Sequence, residues 1–258
     1  MKRLGFSCIF FVMIALAACA SQTETSDSET PSETVPIPDL IRQADDLYRQ
    51  REDLSKIRQG VALLRRARNA DAQNYEANWK LAKFDYYLGD STNDEKESDK
   101  AFKEGIDAGK IAERLAPDKP DGYFWTGANL GGRAEKNPLT KGITSIDDIR
   151  EAMNKTIEIQ PDYQGASAYD VLAQVELSTH LTGGKAEKAV EYLEKALELE
   201  KENSYIRLHL AEAYLAVDRK ADAKKQLDYI LNMKPDPDYL PEYKDSVEEA
   251  KQMLKTRF

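Results

Sequence analysis

The chain is 258 residues long, 41% hydrophobic and 32% charged, with a formal net charge of −9 at pH 7. So acidic a chain offers no basic face to a nucleic-acid backbone. Its two cysteines, Cys8 and Cys19, both lie near the N-terminus, and its two histidines, His180 and His209, have no acidic or cysteine partner at metal-ligand spacing, which argues against a disulfide framework or a zinc cluster.

In chain order, Lys2 and Arg3 precede an apolar run from Ile9 to Leu16, which ends in Leu16-Ala17-Ala18-Cys19. The run is shorter than the roughly 20 apolar residues that a membrane-spanning helix requires. This layout resembles a bacterial lipoprotein signal, and the resemblance implies removal of residues 1–18 and acylation of Cys19 as the first mature residue. Cys8 would leave with the signal, so no intrachain disulfide is expected, and the charge would move from −9 to −11 because Lys2 and Arg3 leave too. Residues 19–36 then form the lipidated cysteine and a polar tether. Ala20 to Pro36 is so poor in apolar side chains that it cannot repay the entropy of ordering, and as a coil it would reach roughly 20–25 Å. Ala20, rather than Asp, after the cysteine resembles the pattern of outer-membrane lipoproteins. The expected location is therefore the bacterial cell envelope, lipid-anchored and periplasm-facing, at the outer membrane in preference to the inner.

From residue 37 to 258 the apolar periodicity is helical, and strand signals are weak. The first hairpin, Leu40 to Ala72, carries Ala44, Leu47, Gly60, Leu64 and Ala67. The second carries Trp79, Ala82 and Tyr86, a polar insert from Asp90 to Asp99, then Gly105, Gly109 and Ala112. The third has Tyr123, Gly127 and Leu130, a loop through Asn137-Pro138 and Gly142, then Ile149, Met153 and Thr156. The fourth has Tyr169, Leu172 and Ala173, a stop at Thr182-Gly183-Gly184, then Ala189, Leu193 and Ala196. The fifth has Leu210, Ala211 and Tyr214, then Ala223, Leu227 and Ile230, and closes at Pro235. Ala72, Pro117, Pro161, Lys201 and Pro235 occupy the closing position at intervals of 45, 44, 40 and 34 residues. The last hairpin thus resembles a standard tetratricopeptide repeat, and the earlier ones stretched versions of it. Tyr243, Val247, Ala250 and Leu254 form one further stripe, a terminal cap. The resemblance implies an all-α fold: an α-solenoid of about five tetratricopeptide-like helical hairpins with a C-terminal capping helix.

No motif for chemistry stands out. The glycines Gly122, Gly127, Gly131 and Gly132 lack the GxxxxGK[ST] pattern of a phosphate loop. Close helix packing at Gly127 and a helix end near Gly131-Gly132 account for them. His180 near a helix end and His209 on a repeat helix read as structural, and Glu187, Glu191, Glu194 and Glu198 interleave with Lys188 and Lys195 as a solvated face. The expectation is a non-enzyme with no cofactor, metal or catalytic residues.

The segment Gly122-Tyr123-Phe124-Trp125-Thr126-Gly127-Ala128-Asn129-Leu130-Gly131 is the most unusual stretch. The repeat register puts Tyr123 and Leu130 in the core and Phe124 on the concave side. Trp125 and Asn129, four residues apart, share another stripe, where inter-repeat packing and ligand contact are the two readings for Trp125. With Tyr169-Asp170-Val171-Leu172 and Gly183-Gly184-Lys185 downstream, the segment resembles the T-component lipoproteins associated with tripartite ATP-independent periplasmic transporters. That resemblance implies a periplasmic solute-binding protein as partner and assistance to solute uptake. A general envelope-assembly adaptor with no small-molecule ligand is the alternative, and a second copy of the chain is also a compatible partner. Contact residues expected on the inward face of the first helices are Lys80, Phe84, Tyr87, Phe124, Asp170, Gln174, Tyr205 and Glu212, with Trp125 and Asn129 beside them.

Overall fold

The computed structural model describes residues 35–137, 145–179, 181 and 183–258. The lipoprotein signal, Cys19, the tether up to residue 34, the Pro138–Gly142 part of the third loop, His180 and Thr182 lie outside the described residues. Among those described there are eleven α-helices: α1 Ile37–Tyr48, α2 Leu54–Ala70, α3 Tyr75–Ser91, α4 Glu95–Leu115, α5 Pro120–Lys136, α6 Ile146–Ile159, α7 Tyr163–Ser178, α8 Ala186–Leu199, α9 Ser204–Ala216, α10 Lys220–Asn232 and α11 Leu240–Arg257. None of them is long and apolar enough to cross a membrane.

Local chemistry sets the boundaries. Asp53, Asn74, Asp94 and Asn203 each accept hydrogen bonds from the first free amides of the helix that follows, opening α2, α3, α4 and α9. Proline at the first or second position opens α1, α5 and α11, where no amide hydrogen is needed. The segment from Asp90 to Asp99 is not a looped insert. α3 runs on to Ser91 and α4 starts at Glu95, so the extra residues lengthen two helices around the Asp94 cap. Gly131 and Gly132 likewise sit inside α5, which continues to Lys136. A Cβ at Gly132 would lie 2.7 Å from the Phe102 ring, so this glycine serves helix contact rather than termination.

Consecutive helices pair as five hairpins, and α11 packs on α9 and α10 as the cap. The odd-numbered helices also touch one another, α1 with α3, α3 with α5, α5 with α7, α7 with α9 and α9 with α11. They form one continuous inner layer, with the even helices outside it. Two apolar clusters fill the space between the layers. One runs from α1 to α7 and the other from α7 to α11, with Leu172 of α7 in the first and Ala173 in the second. The start of α7 is irregular. Gln164, Gly165 and Ala166 have φ of 50°, 63° and 60°, the left-handed region, and Asn203 donates a 3.0 Å hydrogen bond to the Gly165 carbonyl across the bend.

The fifth hairpin follows its expected register. Leu210, Ala211, Tyr214, Ala223, Leu227 and Ile230 are all buried, with Ala211 and Ala223 fully enclosed. Ala211→Leu or Ala223→Leu should therefore cost roughly 1–3 kcal/mol through overpacking. Urea denaturation checks this; unchanged midpoints in both variants would contradict the packing.

Candidate partner-binding face

Phe84 and Phe124, expected on an open concave face, are core instead, and of the two readings for Trp125 the structure shows packing, with Asn129 buried beside it. Phe84 is 1% exposed, Phe124 5%, Trp125 3% and Asn129 0%. The reason is the contact between odd helices. In α3 and α5 the side that a standard repeat leaves open is covered by the neighbouring first helix, so large aromatics fill it. The Phe84 ring lies against Gly60 of α2 and 5.2 Å from the Tyr48 ring of α1. Phe124 packs edge-on against Trp125 and against Tyr163 of α7, at 5.0 and 5.4 Å between centroids. Asn129 donates through Nδ2 to the carbonyls of Ala82 and Trp125, at 2.9 and 2.7 Å, and its side chain fits over Gly105, where any Cβ would collide. It joins α3, α4 and α5 rather than facing a partner. Tyr123, expected in the core, is half-buried, with its hydroxyl 3.4 Å from the Pro117 carbonyl.

The other six, Lys80, Tyr87, Asp170, Gln174, Tyr205 and Glu212, are half-buried on α3, α7 and α9 of the inner layer. They fall into two groups. Around the start of α11, the Glu242 carboxylate takes two hydrogen bonds from Arg51, at 2.9 and 2.7 Å, and one from the Tyr87 hydroxyl at 2.9 Å. The cap thereby reaches back to the first two hairpins. Burial works against the ionised Glu242, but the Arg51 guanidinium and the Tyr87 hydroxyl hold its pKa below the usual value. Lys80 pairs with Asp45 of α1 at 2.6 Å and with Glu76 at 2.8 Å.

The second group centres on His209, whose place on a repeat helix alone suggests only a structural role. His209 Nδ1 lies 2.7 Å from Asp170 Oδ1, tying α9 to α7, and the imidazole stacks on Tyr205 with ring centres 6.0 Å apart. Burial lowers the imidazole pKa, yet Asp170, with Glu212 and Glu249 nearby, outweighs it and raises the value to about 9. The raised value favours the protonated ring at neutral pH. The signal for this pair is a separation of 39 residues, about one repeat, which also relates the pairs Arg58–Glu97 and Arg65–Glu104. Gln174, on the same face, keeps its Nε2 buried without a hydrogen-bond partner among the described residues.

Between α4, α5 and α6 opens a groove of about 620 Å³ lined by Lys110, Glu113, Tyr123, Leu130, Glu151 and Lys155, among others. It carries both charges and is bounded by Tyr123 and Thr126 rather than by the Trp125 indole. It lacks the apolar wall that a conduit for hydrophobic ligands requires.

Residues 40–169, half of the chain, match the family model described as "Regulator of microtubule dynamics protein 1-3". The chain belongs to that family. In this family member the matched region ends inside α7, where one apolar cluster gives way to the next, and residues 180–241 match a tetratricopeptide-repeat model. No curated protein matches the chain. Among solved structures, a thermophilic tetratricopeptide-repeat protein of Thermus thermophilus is 22% identical with a TM-score of 0.60; the alignment covers 83% of this chain and all of that one. The pilF protein of Pseudomonas aeruginosa is 15% identical with a TM-score of 0.55, over 86% of this chain and 93% of its own. At such identities the likeness is one of fold, stacked helical hairpins of the tetratricopeptide type, the architecture of helical-repeat scaffolds. Scaffolds of this type generally bind protein partners and are generally non-enzymatic.

Proposed function

We propose that this chain is a lipid-anchored, periplasm-facing scaffold that does no chemistry of its own and docks a partner protein on its inner helical layer. The observation that carries this reading is the set of half-buried polar and aromatic side chains on that layer, Tyr205, Glu212, Asp170 and Gln174 on adjacent first helices. Aromatic area for anchoring and charge for orientation lie side by side there. The lipobox Leu16-Ala17-Ala18-Cys19 supports the anchor, at the outer membrane of a bacterial envelope, and the GYFWTGANLG segment supports a T-component-like role beside a periplasmic solute-binding protein. The same face would serve an envelope-assembly adaptor. The family's name favours a second reading, in which the partner is a microtubule.

Two measurements test the proposal. The wild-type chain should fractionate with membranes and Cys19→Ser with the soluble envelope contents; a membrane-bound Cys19→Ser variant sinks the anchor. In pull-downs, the Tyr205→Ala/Glu212→Lys double variant should lose partner binding by roughly tenfold or more while keeping its melting temperature. Equal capture by variant and wild type would remove this face from the interface, and co-sedimentation with microtubules would move the reading to the second.

A further inference from the structure

Lys83 of α3 stands apart from every other cation near it. Its ammonium lies 3.9 Å from the centre of the Tyr48 ring and 5.7 Å from that of Trp125, and no carboxylate among the described residues comes within ion-pair distance of it. The charged groups that face it are each engaged elsewhere. Asp45 is bound to Lys80, Glu242 to Arg51 and Tyr87, and Lys80 also holds Glu76. Around the lysine the walls are aromatic. Tyr48 meets Tyr87 edge-on at 5.1 Å, and Tyr86 bridges Tyr87 and Trp125 at 5.8 Å to each. Lys83, Tyr48, Tyr86 and Tyr87 all keep partial exposure, so the site is reachable from the inner layer. Burial, reinforced by Arg51 and Lys80, brings the ammonium down to about 8. A cation this poorly solvated gains most from a negative charge delivered to it.

We propose that Lys83 anchors a carboxylate-binding site on the inner face of the first two hairpins, for a carboxylate carried on an aromatic or apolar body that lies along Tyr48 and Tyr87. This rests on the scaffold reading and gives it a ligand chemistry. The carboxylate forms a charge-assisted hydrogen bond with Nζ while the apolar body displaces water from the tyrosine walls. Two sources share this chemistry: a free small acid and the C-terminal carboxylate of a partner chain that ends in an apolar residue.

The test uses the full chain carrying Trp79→Phe, which leaves Trp125 as its one tryptophan. The probes are 3-phenylpropionate, its primary amide, and a hexapeptide ending in Phe with a free or an amidated C-terminus, each titrated by calorimetry and by Trp125 fluorescence. We expect at least one carboxylate probe to bind and shift the Trp125 emission, its amide to bind at least tenfold more weakly, and Lys83→Met to abolish the difference while melting at or above the parent temperature. Preference for the small acid or for the free peptide terminus assigns the source. Amide and acid binding equally, Lys83→Met retaining full affinity for the acid, or no probe binding at millimolar concentration would each overturn the site. Should Lys83→Met fail to fold, the acid-against-amide comparison on the parent chain still decides. Loss of acid binding with partner capture intact separates failure of this site from failure of the scaffold reading.

Discussion

Phe84→Ala is expected to lower the unfolding free energy by about 3–5 kcal/mol, the range for removing a large aromatic from a close-packed core. The residue is 1% exposed, and its ring occupies the space left by the missing side chain of Gly60, where even a Cβ would come within 2.2 Å of it. Truncation leaves a void between α2 and α3 and removes the ring contact with Tyr48 of α1. For a folded region of this size the loss corresponds to a fall in melting temperature on the order of 10 °C. Circular dichroism on the purified chain reads it directly. A Phe84→Ala variant that melts with the wild type but loses partner binding would restore the ring to an open binding face. Tyr87→Ala serves as the contrast, because Tyr87 is half-buried and its loss removes one hydrogen bond to Glu242 and edge contacts with Tyr48 and Tyr86 rather than a fully enclosed ring.

That contrast shows what was legible in the sequence. The fifth hairpin could be placed residue by residue because its small positions, Ala211 and Ala223, and its large ones, Leu210, Leu227 and Ile230, follow the period that antiparallel helix packing imposes. The all-α solenoid and its terminal cap followed from the same pattern. The inner face of α3 and α5 could not be read that way. A standard-repeat register leaves that side open, whereas α3 and α5 pack closely along each other, and Phe84 and Phe124 stand in the core rather than the groove. Asn129 illustrates the cost of reading stripes alone. A polar residue on an aromatic helix suggests a ligand, yet its amide completes the backbone of α3 and its bulk answers a glycine on α4. Asp170–His209 is marked only by its one-repeat separation of 39 residues, and Arg51–Glu242 joins residues 191 apart, which no repeat period links.

The Asp170–His209 pair makes stability depend on pH in a defined window. The imidazole binds its proton more tightly in the fold, with a pKa of about 9 against an ordinary 6.5. Its contribution is therefore complete below pH 6.5, where the histidine is charged both folded and unfolded, and is lost as pH rises from 6.5 through 9. The full shift corresponds to roughly 3 kcal/mol, and because the side chain is 24% exposed, screening reduces it to about 2 kcal/mol. Lys83 works in the opposite sense at higher pH. Its pKa is lowered in the fold from 10.5 to about 8, so deprotonation adds stability between those values, and the wild-type curve alone would blur the two effects. Comparison with His209→Gln separates them, since the glutamine can still reach Asp170 but carries no charge. Urea denaturation at pH 6 and pH 9 should show the wild type losing about 2 kcal/mol more than His209→Gln between the two. Parallel behaviour of the two chains would mean that the imidazole stays neutral and that α7 and α9 are joined by an uncharged hydrogen bond. A difference of the expected size would mean that the stacked Tyr205 ring beside Glu212 is held in place by a charge, so that binding at this face weakens with stability as pH climbs through the window.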